Sequence, residues 1–263
     1  DVGINKKVLS DYIIDYAERA VADGTAELYK STAKRVSLFD SAATFDSVNL
    51  DWLERFYKFL VNRGMRVNSI AIDMRNIRAV FNRAIDDEVT TNYPFRKYKI
   101  RTERTKKRNL TAEQVRTLRD YKCEDWQEEY RDLWMLQFYL AGINISDLLE
   151  LKSLTDGRCV YRRKKTGRLY DIFVTKEAME IINKYKGSHY LLNPLDRYGS
   201  ATEYCRHMNR ALKKIGEVDI VEDKTGKMRK KKYNPLFPDL TTYWSRHTWA
   251  TIAAELDIPK EVI

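Results

Sequence analysis

Histidine and cysteine are scarce in this chain, three of each in 263 residues, and the scarcity narrows the chemistry open to it. Cys123, Cys159 and Cys205 are scattered, odd in number and without metal-ligand spacing, which argues against a disulfide framework or a zinc site and for reduced core thiols. No clustered Asp, Glu and His offer the paired-metal logic of a nuclease, so no metal is expected. No apolar run approaches the roughly 18 residues of a membrane span, and no charged, then apolar, then small-residue signal opens the chain. A soluble, cytoplasmic protein without a membrane partner is expected. Internal repeats and extended low-complexity segments are missing too. Acidic charge falls short: 38 Asp and Glu face 48 Lys and Arg, and the net charge of +10 favours a polyanionic partner. What is present, 43% hydrophobic residues, suffices for a sizeable core in one or two domains.

The chain divides once. Apolar residues three and four apart predict helices over residues 8–21, 25–39, 50–64 and 68–85, with Thr25 and Asn68 as N-caps, so a helical domain is expected over residues 1–95. Pro94 then breaks the pattern. In NYPFRKYKIRTERTKKRNL, residues 92–110, Arg96, Lys97, Lys99, Arg101, Arg104, Lys106, Lys107 and Arg108 stand against the single Glu103. Residues 96–110 are expected to be a basic linker. It is either a solvated charge run or a strap that neutralises duplex phosphates.

A second domain is expected over residues 111–263. Thr111 with Gln114 signals an N-cap, a helical pattern ends at Gly142, and SDLLELK predicts a short helix capped by Ser146. The period then changes. DGRCVYRRKKTGRLYDIFVT, residues 156–175, reads as a β-hairpin with lysines near its tip. Helical patterns return at KEAMEIINKYK, at ATEYCRHMNRALKKIG and at TTYWSRHTWATIAAELDIP, and VEDKTGKMRKKKYNP between the last two reads as a flexible basic insert. The fold class expected is mainly α with a small β-hairpin, a helical domain followed by an α+β domain.

FYLAGINISDLLELK, the hairpin carrying RRKKTG and TTYWSRHTWAT, in that order, resemble the catalytic domain of the tyrosine recombinases, the phage-integrase family, and more narrowly integrases of Bacteroides-type mobile elements. Residues 1–104 resemble the family's helical, SAM-like core-binding domain. The resemblance implies a recombinase that cuts and rejoins duplex DNA through a 3′-phosphotyrosyl link, with no cofactor, working as a tetramer of protomers on double-stranded DNA near the nucleoid. Arg246 matches the arginine of the family's HxxR, a planar bidentate donor suited to a crowded phosphoryl group. Lys165 matches the hairpin lysine that acts as general acid for the leaving 5′-oxygen, with Lys164 as the register alternative. Tyr243 stands where the pattern has histidine and either bonds a phosphate oxygen or packs. His247 is expected to supply a supporting hydrogen bond.

Two departures qualify this reading. Most members read GxRxxE where this chain has GINISD, so Asn144 takes the place of the first arginine and Asp147 that of the glutamate. Asn144 either donates to a phosphate without charge or caps a turn. The family's Gly-His pair and nucleophilic tyrosine have no match in residues 1–263; the chain opens at Asp1 and ends at PKEVI, which reads as the start of the next helix, so a longer protein is expected. A catalytically inactive DNA-binding protein on a recombinase scaffold remains the alternative.

Overall fold

Helical spacing of apolar residues builds the first unit of the computed structural model, which describes residues 8–20, 23–222 and 229–258 and divides into units Asp1–Thr105 and Lys106–Ile263. Helices α1 (Leu9–Ala20), α2 (Asp23–Phe39), α3 (Leu50–Asn62) and α4 (Val67–Asp86) bury Leu9, Ile13, Val36, Phe56, Ile77 and Phe81 in one core. Asn49 caps α3 through a 2.9 Å bond from the Trp52 N–H. Two expected caps are corrected. Thr25 lies within the first turn of α2, and Arg66 occupies the cap position of α4. Asn68 instead uses both ends of its amide on the backbone of Glu103, accepting from its N–H at 3.1 Å and donating to its carbonyl at 2.9 Å.

The expected linker is also redrawn. Phe95, in a 3-10 turn at Pro94–Arg96, and Tyr98 are buried in the core of the first unit, and Arg101 pairs with Glu54 at 2.8 Å while stacking over Tyr57. Apolar anchors alternate with the basic residues there, so the segment packs where a pure charge run would stay solvated. One buried charge organises the helices above it: Asp73 on α4, fully buried, accepts from both ends of the Arg35 fork at 2.7 and 2.9 Å and from the Thr32 hydroxyl at 2.7 Å, tying α2 to α4.

The second unit is wrapped around α6 (Asp125–Tyr139), whose consecutive Leu133, Trp134, Met135 and Leu136 are all buried. Around it pack α5 (Ala112–Asp120), α8 (Lys176–Lys184), α10 (Ala201–Leu212) and α11 (Thr242–Glu255). Thr111 and Gln114 form a complete capping box on α5. The short α7 (Ile145–Leu149) follows α6, and α9 (Pro194–Arg197) precedes α10. Asp132 of α6 receives bonds at 2.8 Å from Lys184 and Tyr185; burial pushes its carboxyl up, but Lys184, Arg131 and Tyr185 outweigh that and hold it below the usual range.

Strands β1 (Arg158–Arg162) and β2 (Leu169–Phe173) form the expected hairpin, with Tyr161 opposite Tyr170. The stretch expected to be a flexible insert contributes instead to a second antiparallel pair, β3 (Gly216–Glu222) with β4 (Arg229–Pro235); its residues 223–228 lie outside the described residues, as does the helix start expected at PKEVI. The ribbon is anchored on one face, where Tyr233 meets Trp126 edge-on and Lys231 pairs with Glu124. Cys159 is buried, while Cys123 and Cys205 are partly exposed, and all three are free thiols. Among the described residues no helix is long and apolar enough to cross a membrane.

Arg35→Met should therefore strand the Asp73 carboxylate and destabilise the first unit by about 3 kcal/mol in urea unfolding, whereas adding Asp73→Leu should recover much of the loss, because removing both charges leaves none buried and unpaired.

Candidate active site

The backbone after α6 reverses through two residues with positive φ, Ala141 at 53° and Gly142 at 69°. The Gly142 N–H bonds the Gln137 carbonyl at 2.8 Å, and the Gln137 side chain in turn donates to Ile143 O at 2.8 Å, which fixes the turn from within. Helix α11 lies directly on this turn. A Cβ at residue 142 would stand 2.6 Å from the Arg246 Cα, closer than side-chain carbons approach backbone, so only glycine permits the contact. The start of α11 is held from other sides: Trp134 donates to Thr241 O at 3.1 Å, Asn209 accepts from the Thr242 N–H at 2.8 Å, and Thr248 accepts from Leu110 N at 3.0 Å.

This packing sets the guanidinium of Arg246 between two neutral acceptors, the Gly142 carbonyl at 3.2 Å and the Tyr170 hydroxyl of β2 at 3.4 Å. The side chain is half-buried, and among the described residues no carboxylate pairs with it. Asn144 and Tyr243 join Arg246 around one small cleft that also involves Gln137, Ile143 and Thr242. Of the two alternatives for Asn144, the turn cap is observed: its side-chain oxygen accepts from Ser146 N at 3.0 Å, so Asn144 caps α7 and Ser146 does not. Tyr243 is exposed and meets His247 edge-to-face, ring centroids 4.8 Å apart on successive turns of α11. His247, exposed like Tyr243, has this ring as its neighbour on the helix.

The β1–β2 hairpin is docked beside them. The Lys164 N–H donates to the buried Asp147 at 3.2 Å and the Lys164 ammonium pairs with Glu150, so this lysine anchors the hairpin to α7. Lys165, next along the turn, is exposed and makes no ion pair or hydrogen bond among the described residues. Tyr170 stacks on Tyr161 at 5.2 Å and lies below Arg168 at 5.5 Å. Burial pushes its phenol up, but Arg246, with Arg168 and Arg163, outweighs burial and makes it more acidic than an ordinary tyrosine. Tyr161 beneath it is pushed up by burial and by Asp147. Tyr170 and the tethers at Asp147 and Glu150 escaped the sequence reading; the one signal for Tyr170 was its register opposite Tyr161.

The basic residues between the units are disposed differently. Arg96, Lys97, Lys99 and Arg104 are exposed on the first unit, where Arg101 is engaged by Glu54, and Lys106, Lys107 and Arg108 are exposed on the second. The Gly142 contact is testable by comparison with Gly157, which has φ of 72° but open space around it. Gly157→Ala should cost only the left-handed backbone term, about 1 kcal/mol, while Gly142→Ala should cost at least about 2 kcal/mol more in equilibrium unfolding, because α11 must move.

Comparison with known proteins follows the same division. A family profile described as the phage integrase SAM-like domain matches residues 8–100. No curated protein matches the chain. Among solved structures, the Tn1549 transposon integrase in complex with circular intermediate DNA aligns at a TM-score of 0.70 and 16% identity, over 97% of this chain and 89% of that one. A lambda integrase dimer bound to a COC′ core site aligns at 0.67 and 16% identity, over 94% and 89%. A lambda integrase tetramer bound to a Holliday junction aligns at 0.69 and 17% identity, over 99% and 77%. Residues 8–100 thus match the phage integrase SAM-like domain, and the chain has the fold of the Tn1549 and lambda integrases.

Proposed function

We propose that this protein is a site-specific DNA recombinase, an integrase of a Bacteroides-type mobile element, that cuts and rejoins duplex DNA through a 3′-phosphotyrosyl intermediate. The observation that carries the reading is Arg246: a half-buried guanidinium held by two neutral oxygens and opposed by no carboxylate among the described residues. A guanidinium in a cleft that no carboxylate neutralises keeps its charge available to an anion from outside. A phosphodiester suits it, because the arginine fork can take two phosphoryl oxygens and its charge opposes the charge that spreads over them in the transition state.

The other residues take roles around that phosphate. A tyrosine hydroxyl attacks phosphorus and gives its proton to water, the bond to the 5′-oxygen breaks, and the leaving oxygen takes a proton from Lys165. Lys164 serves as the hairpin's anchor, an assignment supported by its bonds to Asp147 and Glu150. Asn144, occupied as a cap through its oxygen, has its NH2 left to donate to a phosphate oxygen, a neutral substitute for the family's first arginine. Tyr243 supplies a phenol at the rim, and His247 supports it. In this reading the nucleophile lies outside residues 1–263. Duplex DNA and further protomers are the proposed partners, by analogy with the lambda integrase tetramer on a Holliday junction, and the exposed basic residues from Arg96 to Arg108 bind phosphates without reading sequence.

At its natural length the protein should become covalently attached to a nicked duplex carrying its site, seen as a protein–DNA band that survives denaturant. Arg246→Ala should slow that capture by about a hundredfold with little loss of duplex binding, as removal of a transition-state donor does. Binding of the site without any covalent band would instead identify an inactive DNA-binding protein on this scaffold.

A further inference from the structure

Arg246 carries the proposed chemistry only if its fork is already aimed when the phosphate arrives. A long side chain with rotatable bonds would otherwise lose rotamer freedom at that moment, and preorganised donors are effective because that cost has been met in folding. What holds the fork must not cancel it. A carboxylate would fix the guanidinium more strongly but would compete with the incoming anion for the same N–H groups.

We propose that Tyr170 is the positioning residue of this site, its hydroxyl holding one arm of Arg246 while the Gly142 carbonyl holds the other; the proposal rests on the recombinase reading and adds a residue to it. Both acceptors are neutral, at 3.4 and 3.2 Å, so the guanidinium is oriented yet keeps its full charge. Tyr170 can do this because its own ring is fixed. It stacks at 12° on the buried Tyr161, its cross-strand partner, and Arg168 lies over the ring. The arrangement also joins two elements of the site. Tyr170 belongs to the strand that leaves the turn bearing Lys165, and Lys164 in that turn is tied to α7, so the Arg246–Tyr170 bond sets the hairpin in register with α11. The altered acidity of the phenol, toward the phenolate beside Arg246, agrees with that geometry.

Two measurements test the proposal. In the chain of residues 1–263, labelled at tyrosine Cζ and assigned with Tyr170→Phe, the Tyr170 resonance should titrate below the ordinary tyrosine value of about 10, and Arg246→Gln should move that titration upward. An identical titration in Arg246→Gln would overturn the contact, whatever the protein's activity. In the natural-length protein, Tyr170→Phe keeps the ring stack and should slow covalent capture about tenfold, the worth of one hydrogen bond, with duplex affinity changed by no more than about twofold. On an Arg246→Ala background it should add no further loss, because the two act as one unit. A purely structural tyrosine would lose the same factor on both backgrounds, and that result would overturn the proposal while leaving the recombinase reading intact. Failure of the wild-type protein to capture DNA would overturn both.

Discussion

The site depends on how closely α11 lies on the turn that follows α6. At residue 142 there is room for backbone and nothing more, since a Cβ would fall 2.6 Å from the Arg246 Cα. That contact decides where the arginine begins. From there the Gly142 carbonyl lies within reach of one guanidinium nitrogen, and the Asn144 cap and Tyr243 fall on the same small cleft. The remaining holds on α11, from Trp134, Asn209 and Leu110, act on its first and second turns and keep the helix from sliding off the glycine. Packing of this density transmits small displacements, so an error of a side chain's width at the turn would be an error at the guanidinium.

The distribution of acids complements that packing. Glu150 is occupied by Lys164 and Asp147 by a backbone N–H of the hairpin, so these two carboxylates serve to dock the hairpin on α7. Arg246 and Lys165 are left without carboxylate partners among the described residues. An unopposed cation is costly to bury, which is consistent with Arg246 being only half-buried and held by neutral dipoles. Elsewhere the fold treats charge in the ordinary way, with Asp73 and Asp132 each buried against a cation from a neighbouring helix.

Much of this was legible in the sequence because it rests on periodicity. The four helices of the first unit, the Thr111 capping box, the β1–β2 hairpin and the helix carrying Arg246 follow from apolar spacing and local turn chemistry. Two caps were misread: Asn68 is drawn away to Glu103 by a tertiary contact, and Asn144, two residues earlier, reaches Ser146 N before Ser146 can act as the cap. The β3–β4 ribbon was hidden because it buries little on either face, so its lysines broke the alternation that marks a strand. Tyr98 and Phe95 show the converse, apolar anchors inside a run whose charge dominated its appearance. Tyr170 was illegible for a simpler reason: its partner lies 76 positions along the chain, and no local pattern announces so distant a hydrogen bond.

The central claim, that Arg246 is the phosphate-binding centre of a recombinase, is tested most directly by a structure of the protein bound to a duplex carrying its site. The account predicts a phosphate of the cleaved strand in the cleft, a non-bridging oxygen about 3 Å from the Arg246 guanidinium, with Asn144 and Tyr243 flanking it and Lys165 turned toward the 5′-oxygen. A duplex whose phosphates pass elsewhere on the second unit, with Arg246 still bonded only to Gly142 and Tyr170, would contradict it.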